Sequence, residues 1–323
     1  MTLREELLQA ASGKKKIAIA GHVRPDGDCV GSCLGAYHFL KKHFPEAEVQ
    51  VFLEEIPHIF EFLKDWELIK RPGDSDEIYD LFLVLDCGDL SRIGDSASVF
   101  SKAKSTMCID HHLSNGSFCD VNVVEADASS TCELVFDQIP KDELDKTIAE
   151  CLYTGMVTDT GVFQYSCTHH STMDAAGTLM DLGIDYPGIV DRVFNEKTFE
   201  ANRVLGHVLL KARRNASGSV ISAVLTREEM NQFGVSPKHL EGIVQQLRAT
   251  KGVEVAIFLY ETESGEFKGS TRAKGDIVNL VPVAQMYGGG GHMKAAGFTY
   301  KGDPEVCIHE VTNLVEEQIR LKG

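Results

Sequence analysis

Apolar and polar positions fall in blocks that read alternately as strand and helix. Residues 16–21 (Lys-Ile-Ala-Ile-Ala-Gly) form a short apolar run of strand length. Residues 30–43 carry apolar side chains at helical spacing and stop before Pro45. Strands follow at 49–53, at 80–86 and at 106–110, and the last two close on an aspartate. A short amphipathic helix is expected over 1–12, with further helices at 129–138, 143–157, 171–182 and 186–195. This alternation predicts an α/β fold, a mostly parallel sheet flanked by helices.

Beyond Gly183 the pattern changes. A helical stretch over 199–214 reads as a connector. A smaller α+β unit follows, with strands at 220–225, 253–260 and 266–271 and helices at 237–249 and 276–286. The expected division is a first domain over 1–190, a helical connector over 191–216 and a second domain over 217–323.

The 323 residues are enough for two domains, and 43% hydrophobic with 25% charged residues is ordinary globular composition. No apolar run approaches the ~18 residues of a membrane span, and no secretory h-region is visible, so neither a membrane nor a secreted setting is expected. The nine cysteines are odd in number and form no Cys-x-x-Cys pair. That fits reduced thiols in a cytoplasmic protein better than a disulfide framework or a structural zinc site. Cys29, Cys33 and Cys87 are expected to be small buried packing residues.

Charge is shared unequally. Residues 1–200 hold 17 Lys/Arg against 35 Asp/Glu, a net of −18, and residues 201–323 hold 15 against 13, a net of +2. Such acidity is a poor platform for long duplex nucleic acid, which needs a track of cations. A small phosphate-bearing ligand, held by metal ions and a few local donors, remains compatible with it.

Part of the acidity sits where ligands bind in an open α/β sheet, at the carboxyl ends of the strands. His22, Asp26 and Asp28 follow the first strand, and Asp86 and Asp89 close the third. Asp110, His111 and His112 close the fourth, and Asp159 ends the helix at 143–157. Any one of these reads as a cap or turn residue. Brought together, four or more carboxylates and two imidazoles repel one another and resist burial unless cations are present. An oxygen-rich set with few imidazoles and no thiolate motif suits Mn²⁺ or Mg²⁺ better than zinc. Six ligand groups exceed what one ion needs, and two ions about 3.5–4 Å apart are a recurring arrangement for phosphoester hydrolysis.

At these residues the sequence resembles the DHH phosphoesterase family. The eponymous motif stands as Asp110-His111-His112, with His22-x-x-x-Asp26-x-Asp28, Asp86 and Thr158-Asp159-Thr160-Gly161 in family order. Gly288-Gly-Gly-Gly-His292-Met-Lys-Ala-Ala-Gly297 is similar to the signature of the DHH-associated C-terminal domain. The phrases around the motifs look most like the stand-alone nanoRNase/pAp-phosphatase branch. The resemblance implies a two-ion manganese hydrolase, with Mg²⁺ or Co²⁺ as alternatives. Its substrates would be short oligoribonucleotides and 3′-phosphoadenosine 5′-phosphate (pAp), or alternatively cyclic di-AMP or its linear product pApA.

Residue by residue, the resemblance implies that His22 and Asp26 hold the first ion. Asp28, His111 and Asp159 hold the second, and Asp86 bridges them. Asp28, Asp86, His111 and His112 form the catalytic set, with His112 beside the ions, contacting the scissile phosphate or orienting a ligand, and Asp110 orienting the histidines. Arg272, Gly288, Gly289, Gly290, Gly291 and His292 grip the substrate, the glycine N–H groups forming an anion nest. A homodimer, and an active-site cleft between the catalytic first domain and the second, are also implied. Ala273 stands where the family commonly has a second serine. All six metal positions are occupied by ligand types, which disfavours a non-catalytic nucleotide sensor.

Overall fold

The computed structural model describes residues 4–71 and 75–322. The chain divides into two units, Met1–Glu196 and Lys197–Gly323.

The first unit is built on five strands: β1 (Lys16–Ala20), β2 (Glu48–Phe52), β3 (Leu81–Leu85), β4 (Thr106–Asp110) and β5 (Val121–Val124). All pair in parallel, in the order β2-β1-β3-β4-β5. Every residue of β3 (Leu-Phe-Leu-Val-Leu) is buried, as expected for a central strand covered on both faces. Leu81, Leu83 and Leu85 enter one core with Ile17 and Ile19, while Phe82 and Val84 enter the opposite core with Ala18 and Ala20. The two-residue period of a strand sorts them.

β1 pairs with β2 on one side and with β3 on the other. The connections after β1 and β3 therefore run apart and open a crevice at the carboxyl ends of these strands, the ordinary ligand position in such sheets. The helices Gly27–His43 and Lys146–Asp159 cover one face. At their crossing Gly155 leaves no room for a side chain, because a Cβ there would lie 2.8 Å from Asp28 Oδ1.

The observed helix Glu6–Ala11 falls within the stretch predicted over 1–12, whose first three residues lie outside the described residues. The helix predicted over 186–195 starts as Tyr186–Val190 and widens into a π-helical turn, Asp191–Asn195. The edge strand β5 escaped the pattern, being four residues long with one buried position.

The second unit holds a six-stranded mixed sheet: β6 (Arg213–Arg214), β7 (Val220–Leu225), β8 (Val255–Glu261), β9 (Phe267–Ala273), β10 (Gly290–His292) and β11 (Ala295–Tyr300). The order is β10-β11-β9-β8-β7-β6, with β7 and β8 parallel and the other pairs antiparallel. The helix Phe199–Lys211 places Val204 and Val208 in one core of this unit, with Ile221 and Phe258. The helix Pro304–Lys322 covers the other face through Cys307, Val311 and Val315. The helix predicted over 237–249 is broken by Gly242, whose φ of +84° separates a 3-10 turn from Ile243–Arg248. No helix among the described residues is long and apolar enough to cross a membrane.

Candidate metal centre

The loop after β1 carries His22 and Asp26. Asp26 caps the helix Gly27–His43, its Oδ1 accepting the N–H groups of Asp28 (3.2 Å) and Cys29 (3.1 Å). This cap starts the helix so that Asp28, in its first turn, is fully buried. Asp28 Oδ2 accepts from Thr131 N (2.7 Å) and Oδ1 from Cys132 N (2.9 Å), the first two N–H groups of the helix Thr131–Asp137. Asp86 follows β3 in the left-handed region, with φ +53°, a conformation that aspartate tolerates better than most residues. His111 and His112 follow β4, and Asp159 is the last residue of the helix Lys146–Asp159.

The structure brings these groups together. His111 Nε2 lies 3.1 Å from Asp159 Oδ2, 3.7 Å from Asp86 Oδ1 and 3.9 Å from Asp28 Oδ2. His22 Nε2 lies 3.3 Å from Asp86 Oδ2 and 3.6 Å from Asp26 Oδ2. Asp86 thus turns one oxygen toward each histidine. Asp28, His111 and Asp159 offer ligand atoms within 4.8 Å of one another, as do Asp86, His111 and His112. Asp89 takes no part; its carboxylate accepts from Ser91 N at 2.8 Å and caps a turn.

The histidine tautomers follow from their partners. His22 Nδ1 faces Val23 O (2.9 Å) and His111 Nδ1 faces Ala128 O (3.3 Å). A carbonyl only accepts, so Nδ1 carries the proton and Nε2 is left for a cation. His112 Nδ1 likewise donates to Asp110 Oδ1 at 2.8 Å. Asp110 is fully buried, and its second oxygen accepts from Asn115 Nδ2 at 2.7 Å.

The carboxylates and imidazoles strongly perturb one another's protonation. Burial, with Asp86 and Asp159 nearby, pushes Asp28 well above the carboxylate range, and burial raises Asp159. Burial lowers His22, but the carboxylates of Asp26 and Asp86 outweigh it and push the imidazole up to about 11. His111 rises to about 10 because Asp159 and Asp28 outweigh its burial. Burial also opposes the charge on Asp110, yet its bonds from His112 and Asn115 hold it below the usual value. Repelling buried carboxylates interleaved with two Nε2 lone pairs fit divalent cations, which relieve the repulsion and replace the protons.

Cys29 differs from a plain packing residue. Its thiol groups with His22 and Asp86 within 4.8 Å. Burial pushes it well above the ordinary thiol value, which keeps it protonated and a poor ligand. Cys33 and Cys87 are buried as expected.

Sequence reasoning passed over two residues of the cluster. Thr131 supplies an N–H to Asp28 and a hydroxyl 3.3 Å from Asp86 Oδ1. The hydroxyl run Ser129-Ser130-Thr131 before an apolar stretch was a readable helix-start signal. Asn115, which fixes Asp110, carried no such signal.

In the second unit, strand register aligns Ala256, Arg272, Ala295 and His292 across β8, β9, β11 and β10. Directly opposed residues share a face, so Arg272 and His292 lie on one face with alanine between. Arg272 is half-buried, and burial together with Arg248 lowers its pKa. A desolvated guanidinium whose charged neighbour is another arginine favours an anion.

The nest expected over Gly288–Gly291 needs correction. The N–H groups of Gly288 and Gly289 are spent on Gln285 O (3.1 Å) and Ala284 O (2.9 Å), so they cannot hold a ligand. Gly290 and Gly291 belong to β10 instead. Gly289 and Gly291 are required by close approach: a Cβ would meet Gly297 O at 2.1 Å and Ala295 O at 2.4 Å respectively.

Comparison with known proteins agrees with this architecture. A family profile described as the DHH family, N-terminal domain, matches residues 16–156, and the DHHA1 domain matches residues 217–321. A bifunctional oligoribonuclease and PAP phosphatase NrnA of Thermus thermophilus is 31% identical over 328 residues, spanning 100% of this chain and 95% of its own. The Bacillus subtilis protein of the same name is 27% identical over 305 residues, covering 91% of this chain and 92% of its own. The crystal structure of an exopolyphosphatase-related protein from Bacteroides fragilis superimposes with a TM-score of 0.86 at 29% identity, over 97% of this chain and 95% of the other. The chain belongs to the DHH phosphoesterase family, with a DHHA1 domain as its second unit.

Proposed function

We propose that this protein is a two-cation hydrolase of phosphoester bonds that cuts oligoribonucleotides of about two to five nucleotides and releases AMP from pAp. One observation carries the reading: Asp86 presents one oxygen to the His22 and Asp26 side and the other to the His111, Asp28 and Asp159 side. The names of the full-length relatives from Thermus thermophilus and Bacillus subtilis supply the substrate class.

In this reading His22 and Asp26 hold one divalent ion, Asp28, His111 and Asp159 hold the other, and Asp86 serves both. When bound, such ions polarise a phosphoryl oxygen and lower the pKa of water. Mn²⁺ is the ion assigned here, on the oxygen-rich donor set. The protein's own residues do the rest. Asp110 accepts the Nδ1 proton of His112 and its charge favours the imidazolium, whose Nε2 proton donates to a phosphate oxygen of the substrate. Arg272 clamps a distal phosphate through paired N–H groups, and His292, on the same face, adds a donor. The net charge of −18 over residues 1–200 repels long polyanions, which restricts the enzyme to short substrates.

The test is a set of initial rates with Mn²⁺ on RNAs of two to ten nucleotides, pAp, pApA and cyclic di-AMP. Turnover concentrated on the shortest RNAs and pAp is expected, and Asp86→Ala should abolish it. Preference for cyclic di-AMP would replace the substrate assignment, and full turnover in Asp86→Ala would overturn the two-ion reading.

A further inference from the structure

The hydrogen bonds around Asp86 lead to a residue that is not itself among the proposed cation ligands. Thr131 is fully buried at the start of the helix Thr131–Asp137. Its N–H donates to Asp28 Oδ2 at 2.7 Å, and its hydroxyl reaches Asp86 Oδ1 at 3.3 Å. Among the described residues no other side-chain or backbone donor outside the histidines bonds the Asp86 carboxylate.

Asp86 needs such a partner. Its backbone sits at φ +53°, tied to β4 by the bond from its N–H to Ile109 O (3.2 Å), but that bond leaves the rotation of the carboxylate unset. The carboxylate must stand so that one oxygen serves each cation, although rotation about its own bonds would let both oxygens face one side. A buried hydroxyl has a single proton to give. Here that proton goes to Oδ1, which leaves Oδ2 toward His22. Because the same residue bonds Asp28 through its backbone, one rigid helix start sets the spacing of both carboxylates.

We propose that Thr131 is the positioning residue that holds Asp86 in its shared orientation, so that its hydroxyl decides whether two cations bind as a coupled pair. This rests on the two-cation reading above. Residues bonded behind metal ligands typically account for about 10- to 100-fold in metal affinity.

The experiment titrates the full-length, metal-stripped protein with Mn²⁺ and follows electron paramagnetic resonance. Wild type should show the spectrum of an exchange-coupled Mn²⁺ pair. Thr131→Val keeps the N–H to Asp28 and removes only the hydroxyl. It should weaken binding of the second ion about tenfold or more and lose the coupled spectrum, while Thr131→Ser should restore both. Thermal melts of the metal-free proteins establish folding, and Thr131→Ala replaces the valine variant if that one does not fold. A hydroxyl-free variant that binds two ions with wild-type affinity and coupling overturns the proposal, as does failure of Thr131→Ser to restore them. Wild type that binds one ion only, or none, overturns the two-cation reading instead.

Discussion

His112 donates its Nδ1 proton to Asp110 at 2.8 Å, and Asp110 is sealed from solvent. The bond orients the ring and, together with Asp110's charge, raises the imidazole pKa, so the protonated form, which donates from Nε2, is favoured. Asp110→Asn keeps the shape, removes the charge and can present its amide to Nδ1, which favours the wrong tautomer. Loss of such an orienting partner typically costs about 10- to 100-fold. Turnover should fall by that factor with KM little changed, and the alkaline limb of kcat against pH should move to lower pH. An unchanged profile would remove His112 from proton donation.

Loading with metal should release protons. His22 is pushed up to about 11 and His111 to about 10, so at pH 7 both are protonated, and each of the two cations must displace the proton of its own histidine. Affinity for each ion should therefore rise by about one decade per pH unit near neutrality, and calorimetry in buffers of different ionisation enthalpy should read about two protons per loaded pair of ions. The metal-free protein should behave in the opposite way. A histidine pKa raised on folding stabilises fully below about 6.5, the unfolded value, and that contribution is lost as pH climbs through about 10 to 11. Urea melts in chelator should show stability falling over that range.

Arg272 should matter for binding more than for chemistry. Removing a charge-assisted partner of a phosphate costs about 1.5–3 kcal/mol, roughly 10- to 100-fold. Arg272→Ala should raise KM for pAp by that factor with kcat nearly intact. Arg272→Lys should not restore it, because an ammonium lacks the planar fork. Equal losses in kcat would place the arginine at the reacting phosphate instead.

The loop between His22 and Asp26 is held in an unusual shape. Arg24 has φ +56°, and its N–H donates to Glu54 Oε2 at 2.8 Å, while Pro25 after it fixes its own φ. Glu54→Ala should cost about 1 kcal/mol, read as a lowered melting temperature. Adding Arg24→Gly should recover much of it, since glycine takes positive φ freely. No recovery would show that Glu54 stabilises by another route.

Most of the site could be read from the chain because the acids stand where apolar runs end. A run such as Leu81–Leu85 must be buried, so the aspartate after it must lie at the sheet's carboxyl edge. The order of the strands could not be read in the same way, because pairing depends on contacts between distant segments. β5 was lost for its shortness, and β10 and β11 were lost because glycine is a poor strand former. The same glycines then misled on chemistry: they are there to let β10 approach β11, and two of the four N–H groups are already spent. The helix start at Thr131 was legible, but its bond to Asp86 depends on a carboxylate far away in the chain, and Asn115, only five residues after Asp110, stands in a loop without periodicity.

Asp28 is gripped at both oxygens by the start of the helix Thr131–Asp137, and Gly155 leaves no slack behind it. A carboxylate so confined cannot swing to widen its cage. Calcium asks for six to eight oxygens at about 2.3–2.6 Å in adaptable geometry, whereas smaller octahedral ions accept a tight, preset one. In the two-cation reading proposed above, ionic radius would thus be screened by the backbone itself, and an abundance of calcium should leave the centre indifferent.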